Sequence, residues 1–256
     1  MKMKNYAPGK GPDYGEDKLH PKEIELKGGA AEKAVNFWFY HKWKVIIALF
    51  VVFVLLVACL QTCTSIKDDV LVLYAGPCNI GASGVAGMGV ALSDVLPRDF
   101  NGDGENHATL VGLNIFSPEQ VAALAEAAKT DTNVAPVNTY VNQRELSSFD
   151  NLILTGEYSI CLLDPWLYER VASSGGFTKL ADLLGSAPDD TYSAYAVTFK
   201  NTAFAKAHAE EFQYLPDDTL LCIRNTNSMG SVINKDSTLK KHAEAVETFK
   251  AIMNYQ

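Results

Sequence analysis

Between Val45 and Leu60 the chain reads VIIALFVVFVLLVACL, and no charge interrupts it until Lys67. A helix needs roughly 20 such residues to cross a hydrocarbon core. Phe37, Trp38, Phe39, Tyr40 and Trp43 precede the run as an aromatic belt. A buried core helix would need a polar face, which this run lacks. Beyond it the pattern changes to short apolar runs alternating with helical ones. Val70 to Tyr74 (VLVLY), Thr109 to Phe116 (TLVGLNIF) and Tyr158 to Leu163 have the length and continuity of strands buried on both faces. Helices are expected over Val85 to Leu96, stopped by Pro97, over Val121 to Lys129, over Glu145 to Leu154 and over Pro165 to Ser173. Ser117-Pro118-Glu119-Gln120 supplies an N-cap, a first-turn Pro and a capping-box Gln to the second of these.

Two more strands are expected over Ala194 to Phe199 and Thr219 to Arg224. A closing helix places Leu239, Ala243, Val246, Phe249 and Ile252 on one face, with Asp236 or Ser237 as its cap. The alternating order implies an α/β domain, one mostly parallel sheet with helices on both faces, preceded by one transmembrane helix. The expected division is residues 1–36 as a disordered tail, 37–66 as the juxtamembrane and transmembrane helix, and 67–256 as the folded domain.

Charge assigns the sides. Residues 1–66 carry nine Lys against six acidic residues, a net +3, and residues 67–256 carry thirteen basic against twenty-four acidic residues, a net −11. Lys33, Lys42 and Lys44 lie before the span, so the positive-inside rule puts the N-terminus in the cytoplasm and the domain outside. Leu56-Val57-Ala58-Cys59 fits a lipobox, with Cys59 acylated after cleavage. A cleaved signal has a short leading region, whereas 44 residues precede this apolar run, which favours an uncleaved anchor. An acidic outer domain argues against nucleic acid as a partner. Cys78, Cys161 and Cys222 are an odd number without metal-like spacing, and Cys161 reads as a small core residue, so no disulfide framework is expected.

Ligands of open α/β sheets bind beyond the carboxyl ends of the strands. Tyr74 to Ser83, Asn114 to Ser117 and Asp164-Pro165-Trp166 fall there. Tyr74, Asp164 and Trp166 are the candidate ligand-binding residues. The competing reading makes Asp164 the cap of its helix and Trp166 a packing residue. GPCNIGASGVAGMGV enters a helix after the first strand, but its spacing is not that of a dinucleotide fingerprint. In DFNGDGENHATL, Asp99, Asn101, Asp103 and Gly104 match positions 1, 3, 5 and 6 of a calcium loop, and Glu105 offers its carbonyl at position 7. Position 12 is Leu110, where a bidentate Glu is needed. Calcium is the one cofactor raised, against a bare pair of Asn-Gly and Asp-Gly turns. His107, His208 and His242 show no metal spacing, and no nucleophile, base and orienter set assembles, so no catalysis is expected.

FDNLILTGEYSICLLDPWLYERVASSGGFTKLADLL (149–184), with LVLYAG (71–76) and the closing helix over 237–254, resembles the type 2 extracellular solute-binding proteins. The resemblance implies that the end of the strand before Asp164 faces a ligand cleft and that the chain serves a transporter. It covers about two thirds of the outer domain. That family builds two lobes from roughly 300 residues or more, and about 190 lie beyond the span here, enough for one lobe. Two functions follow as expectations: binding of a small solute, or docking of another cell-envelope protein on the same edge.

Overall fold

The computed structural model describes residues 29–63, 67–188, 190–225 and 235–256. The expected disordered tail therefore falls largely outside the described residues. The chain forms two compact units, divided between Ser65 and Ile66.

The first unit is helix α1, Ala30–Cys63, in which Phe37–Cys59 is long and apolar enough to cross a membrane. At 1.5 Å per residue those 23 residues extend about 34 Å, enough to cross a hydrocarbon core of about 30 Å. Phe50, Phe53 and Leu55 all point outward, at 64%, 62% and 58% exposure. An apolar surface of this kind on all sides is stable only where lipid or another apolar phase replaces water.

The second unit contains a five-stranded sheet. In chain order its elements are β1 (Val70–Gly76), α2 (Ala82–Asp94), β2 (Ala108–Asn114), α3 (Pro118–Thr130), α4 (Thr139–Thr155), β3 (Ile160–Leu163), α5 (Pro165–Ala172), α6 (Leu180–Leu184), β4 (Ala196–Thr198), α7 (Ala203–Ala207), β5 (Leu220–Ile223) and α8 (Lys235–Met253). The strand order is β2-β1-β3-β5-β4. β1 runs parallel to β2 and to β3, whereas β5 runs antiparallel to both β3 and β4. The sheet is therefore mixed, which corrects the mostly parallel expectation. A buried strand gives the same apolar run in either direction, and its direction is set by the connections, which periodicity does not report.

Both faces of the sheet are covered. Val70, Val72 and Tyr74 of β1 pack with Met88 and Leu92 of α2, Phe204 of α7 and Phe249 of α8. Leu73 and Ala75, the alternate residues, pack on the other face with Phe149 of α4 and Leu167 and Tyr168 of α5. This two-sided burial is why the strands read as continuous apolar runs rather than alternating ones.

Two helices differ from expectation. Helix α4 starts at Thr139, six residues earlier than expected, because the Asn138 side chain accepts hydrogen bonds from the N–H groups of Tyr140 and Val141. Its first turn carries no apolar stripe; instead Asn142 clasps the Phe116 backbone, its Oδ1 accepting at 2.8 Å and its Nδ2 donating at 3.0 Å. In α8 the buried positions are Glu244, Ala245, Thr248, Phe249 and Ile252, while Leu239 is 41% exposed and Ala243 faces solvent. The helix begins at Lys235, so Asp236 lies in its first turn instead of capping it.

Candidate functional site

Strand β2 lies to one side of β1 and β3 to the other, so the chain changes direction across the sheet between β1 and β3. Crevices for ligands form at the carboxyl ends of such strands. The Gly76 carbonyl accepts from Ile115 N–H and the Ala75 carbonyl from Asp164 N–H, each at 2.9 Å, extending both parallel pairings beyond the last ladder residues.

Asp164 is 6% exposed, and both its oxygens are in use. Oδ1 accepts from the Trp166 N–H at 2.9 Å, the N-cap bond expected of Asp before Pro, and Oδ2 accepts from the side-chain amide of Gln120 at 3.1 Å. Gln120 also closes the capping box of α3: its Oε1 accepts from Ser117 N–H at 2.8 Å, and its own N–H donates to Ser117 Oγ at 3.2 Å. One amide side chain thus joins the starts of α3 and α5.

Tyr74 is 1% exposed, with its ring in the core beneath α2, and its hydroxyl accepts from Cys78 N–H at 3.2 Å. Burial holds the phenol in its neutral form by raising its pKa, and the Asp164 and Asp218 carboxylates add to the rise. A β-carbon at Gly76 would meet this hydroxyl at 2.8 Å, so only glycine fits there without a shift. Trp166, in the first turn of α5, is half-buried and packs on the opposite face of the sheet. The three candidate ligand residues therefore share one end of the sheet but not one surface: Tyr74 lies on one face, Trp166 on the other, and Asp164 at the strand end. Gln120 escaped the sequence reading because a capping-box glutamine gives no sign of a second partner 44 residues away.

At the amino end of the sheet the DFNGDG segment folds as successive turns. Asp99 Oδ1 accepts from Asn101 and Gly102 N–H at 3.1 and 2.6 Å, and Oδ2 accepts from Gly104 N–H at 2.8 Å. These donors, led by Gly104, hold the Asp99 carboxyl below its usual pKa. Asn101 Oδ1 accepts from Asp103 N–H, and Asp103 Oδ1 accepts from Glu105 N–H. Gly102 and Gly104 have φ of 78° and 93°, the left-handed region that favours glycine. Asp69, 7% exposed, anchors the segment to β1 by accepting from the N–H groups of Phe100, Asn101 and His107. Leu110, at the twelfth position, is 2% exposed within the core. Among the described residues no three His, Cys, Asp or Glu side chains converge as metal ligands.

A cavity of about 490 Å³ also lies at this amino end, lined by Lys67, Asp68, Asp69, Asn101, Glu157 and Lys241 among others. A smaller groove of about 320 Å³ flanks the first turns of α2, between Ser83, Gly84 and Gly87 and the side chains of Glu210 and Tyr214. The histidines are dispersed: His107 faces Asp68, His208 packs on Phe204, and His242 Nδ1 lies 3.1 Å from Ser159 Oγ. Compared with known proteins, the chain matches no protein family, no curated protein and no solved structure.

Proposed function

We propose that the chain is a single-pass membrane protein whose α/β domain lies outside the cytoplasm and binds a ligand, without catalysis, at the carboxyl edge of β1 and β3. The observation that carries the reading is the strand order, which puts the switch between β1 and β3 where the starts of α3 and α5 are clasped through Gln120 and Asp164. The resemblance of residues 149–184 to solute-binding proteins supports a small solute as the ligand. The exposed apolar helix α1, with Lys33, Lys42 and Lys44 in or before the span, supports a cytoplasmic N-terminus.

A second reading, docking of another envelope protein on the same edge, is favoured by a specific observation. Both Asp164 oxygens already have partners and the Tyr74 ring is inside the core, so these two candidate residues present little to grip a small solute. Thermal unfolding of the full chain in detergent against sugars, amino acids and short peptides separates the two. Binding to the native state alone raises its stability by mass action, so one solute class shifting the transition supports the first reading and a flat panel supports the second. Protease added to intact cells tests the topology: digestion of the domain with survival of the N-terminus is expected, and full protection of the domain excludes it.

A further inference from the structure

Strands β3 and β5 are antiparallel, and their register sets Cys161 directly opposite Cys222. Both side chains are 0% exposed and belong to the same core cluster, and the Cys222 thiol donates to the Cys161 carbonyl at 3.6 Å. Arg224 N–H donates to the Ser159 carbonyl at 2.9 Å. Two residues further along the same ladder, Cys161 and Cys222 share that hydrogen-bonded pairing, for which the Cα separation is about 5.5 Å. Disulfides span Cα separations of roughly 4.4–6.8 Å. The register thus sets the two residues opposite one another on one face, in a pairing whose typical Cα separation falls within the disulfide range.

We propose that Cys161 and Cys222 are a cross-strand disulfide site, closed while the chain folds in an oxidising compartment. Both are thiols in the structure. Full burial keeps them as thiols once the fold is complete, pushing Cys161 up to about 12 and Cys222 also well above the ordinary thiol value. The thiolate is the attacking form, so exchange belongs to the folding chain rather than to the finished core. The balanced step uses a disulfide oxidant such as oxidised glutathione. One cysteine thiolate attacks it and releases one glutathione thiol. The second cysteine thiolate then attacks the mixed disulfide and releases the other, so the protein loses two protons and two electrons and the glutathione disulfide gains both.

The bond would pin β5, and with it the edge strand β4, to the central strand β3 across a separation of 61 residues. Opposed β-carbons in a ladder are about 5 Å apart and a disulfide needs about 3.8 Å, so the strands must draw together locally. Strain of that kind makes a disulfide easier to reduce, which points to a bond that a mild dithiol opens once the sheet is loosened.

The site does not depend on what the carboxyl edge binds. It rests on the proposed topology only for its oxidant in the cell, and the test separates the two. The full chain carrying Cys59→Ser, Cys63→Ser and Cys78→Ser is refolded into detergent from denaturant in a glutathione redox buffer and, in parallel, in reduced glutathione alone. It is then alkylated under denaturing conditions and digested with trypsin. The expected product of the oxidised arm is a monomer containing residues 145–170 linked to residues 207–224, lighter by two hydrogens than the sum of the two peptides. Its thermal transition should lie roughly 5 °C or more above that of the reduced arm. Two alkylated cysteines in the oxidised arm would overturn the proposal. The unsubstituted chain, acid-quenched and alkylated directly from cells, is the second measurement and needs no refolding. The linked peptide there supports the site and the topology together. A link formed in glutathione but absent from cells supports the site and counts against the extracytoplasmic placement.

Discussion

The Gln120 side-chain amide donates to Asp164 Oδ2 at 3.1 Å while its oxygen accepts from the Ser117 backbone at 2.8 Å. This joins the capping box of α3 to the cap of α5 at the sheet edge proposed to bind. Gln120→Ala removes both bonds and is expected to cost about 1–2 kcal/mol, and Asp164→Ala a similar amount through the lost cap. Because the two share a bond, their effects should fall short of additive by about 0.5–1 kcal/mol, read from denaturant midpoints of the single and double variants. Strict additivity would mean that the clasp contributes nothing.

Gly76→Ala places a β-carbon 2.8 Å from the Tyr74 hydroxyl. The buried ring has little room to retreat, so a loss of roughly 1–3 kcal/mol is expected. Adding Tyr74→Phe removes the clashing oxygen and should recover part of that loss. Chemical denaturation of the two variants checks it, and an unaffected Gly76→Ala would show that the tyrosine moves freely.

His242 is held below its ordinary value of 6.5, first by burial and then by the Arg224 guanidinium. The unfolded chain therefore takes up a proton at a higher pH than the folded one. The stability His242 contributes is present above the unfolded value and is lost as pH falls through 6.5 toward the folded value. Thermal transitions recorded from pH 8 to pH 5 should decline through this window, and His242→Gln should flatten that part of the decline. An identical profile in the variant would assign the decline to other groups.

The DFNGDG segment has its turn acceptors satisfied by its own backbone, and its twelfth position is a core leucine. Calcium at a few millimolar and chelator are expected to give the same unfolding temperature within about 1 °C, since only a ligand of the native state shifts it. A saturable rise that Asp99→Asn abolishes would establish instead a cation held by Asp99, Asn101, Asp103 and the Glu105 carbonyl.

Where local chemistry decides a feature, the sequence was readable. Ser117 with Gln120 announced the cap of α3, Asp164 before Pro165 that of α5, and the uncharged run after Val45 the apolar helix. Features decided by distant partners were not. The direction of β5 depends on its connections, and the early start of α4 rests on Asn138 and on Asn142 reaching Phe116. Asp69 looks like a charged linker residue until the fold wraps three backbone donors around it. Of the candidate ligand residues, the shared strand end was legible, but not that Tyr74 and Trp166 fall on opposite faces, since that needs the packing of α2 and α5.

The central claim is that the carboxyl edge of β1 and β3 is the binding surface, and Trp166 is placed to report on it. The other tryptophans of the chain, Trp38 and Trp43, lie in α1, so Trp38→Phe with Trp43→Phe leaves Trp166 as the sole emitter. Titrating this full-length variant with the compound that raises its unfolding temperature, or with a purified envelope partner, should give a saturable change in Trp166 emission at the same midpoint as the thermal effect. A ligand that stabilises the protein while leaving Trp166 emission unchanged would place binding elsewhere, with the 490 Å³ cavity at the amino end as the next site to test, and would contradict the account.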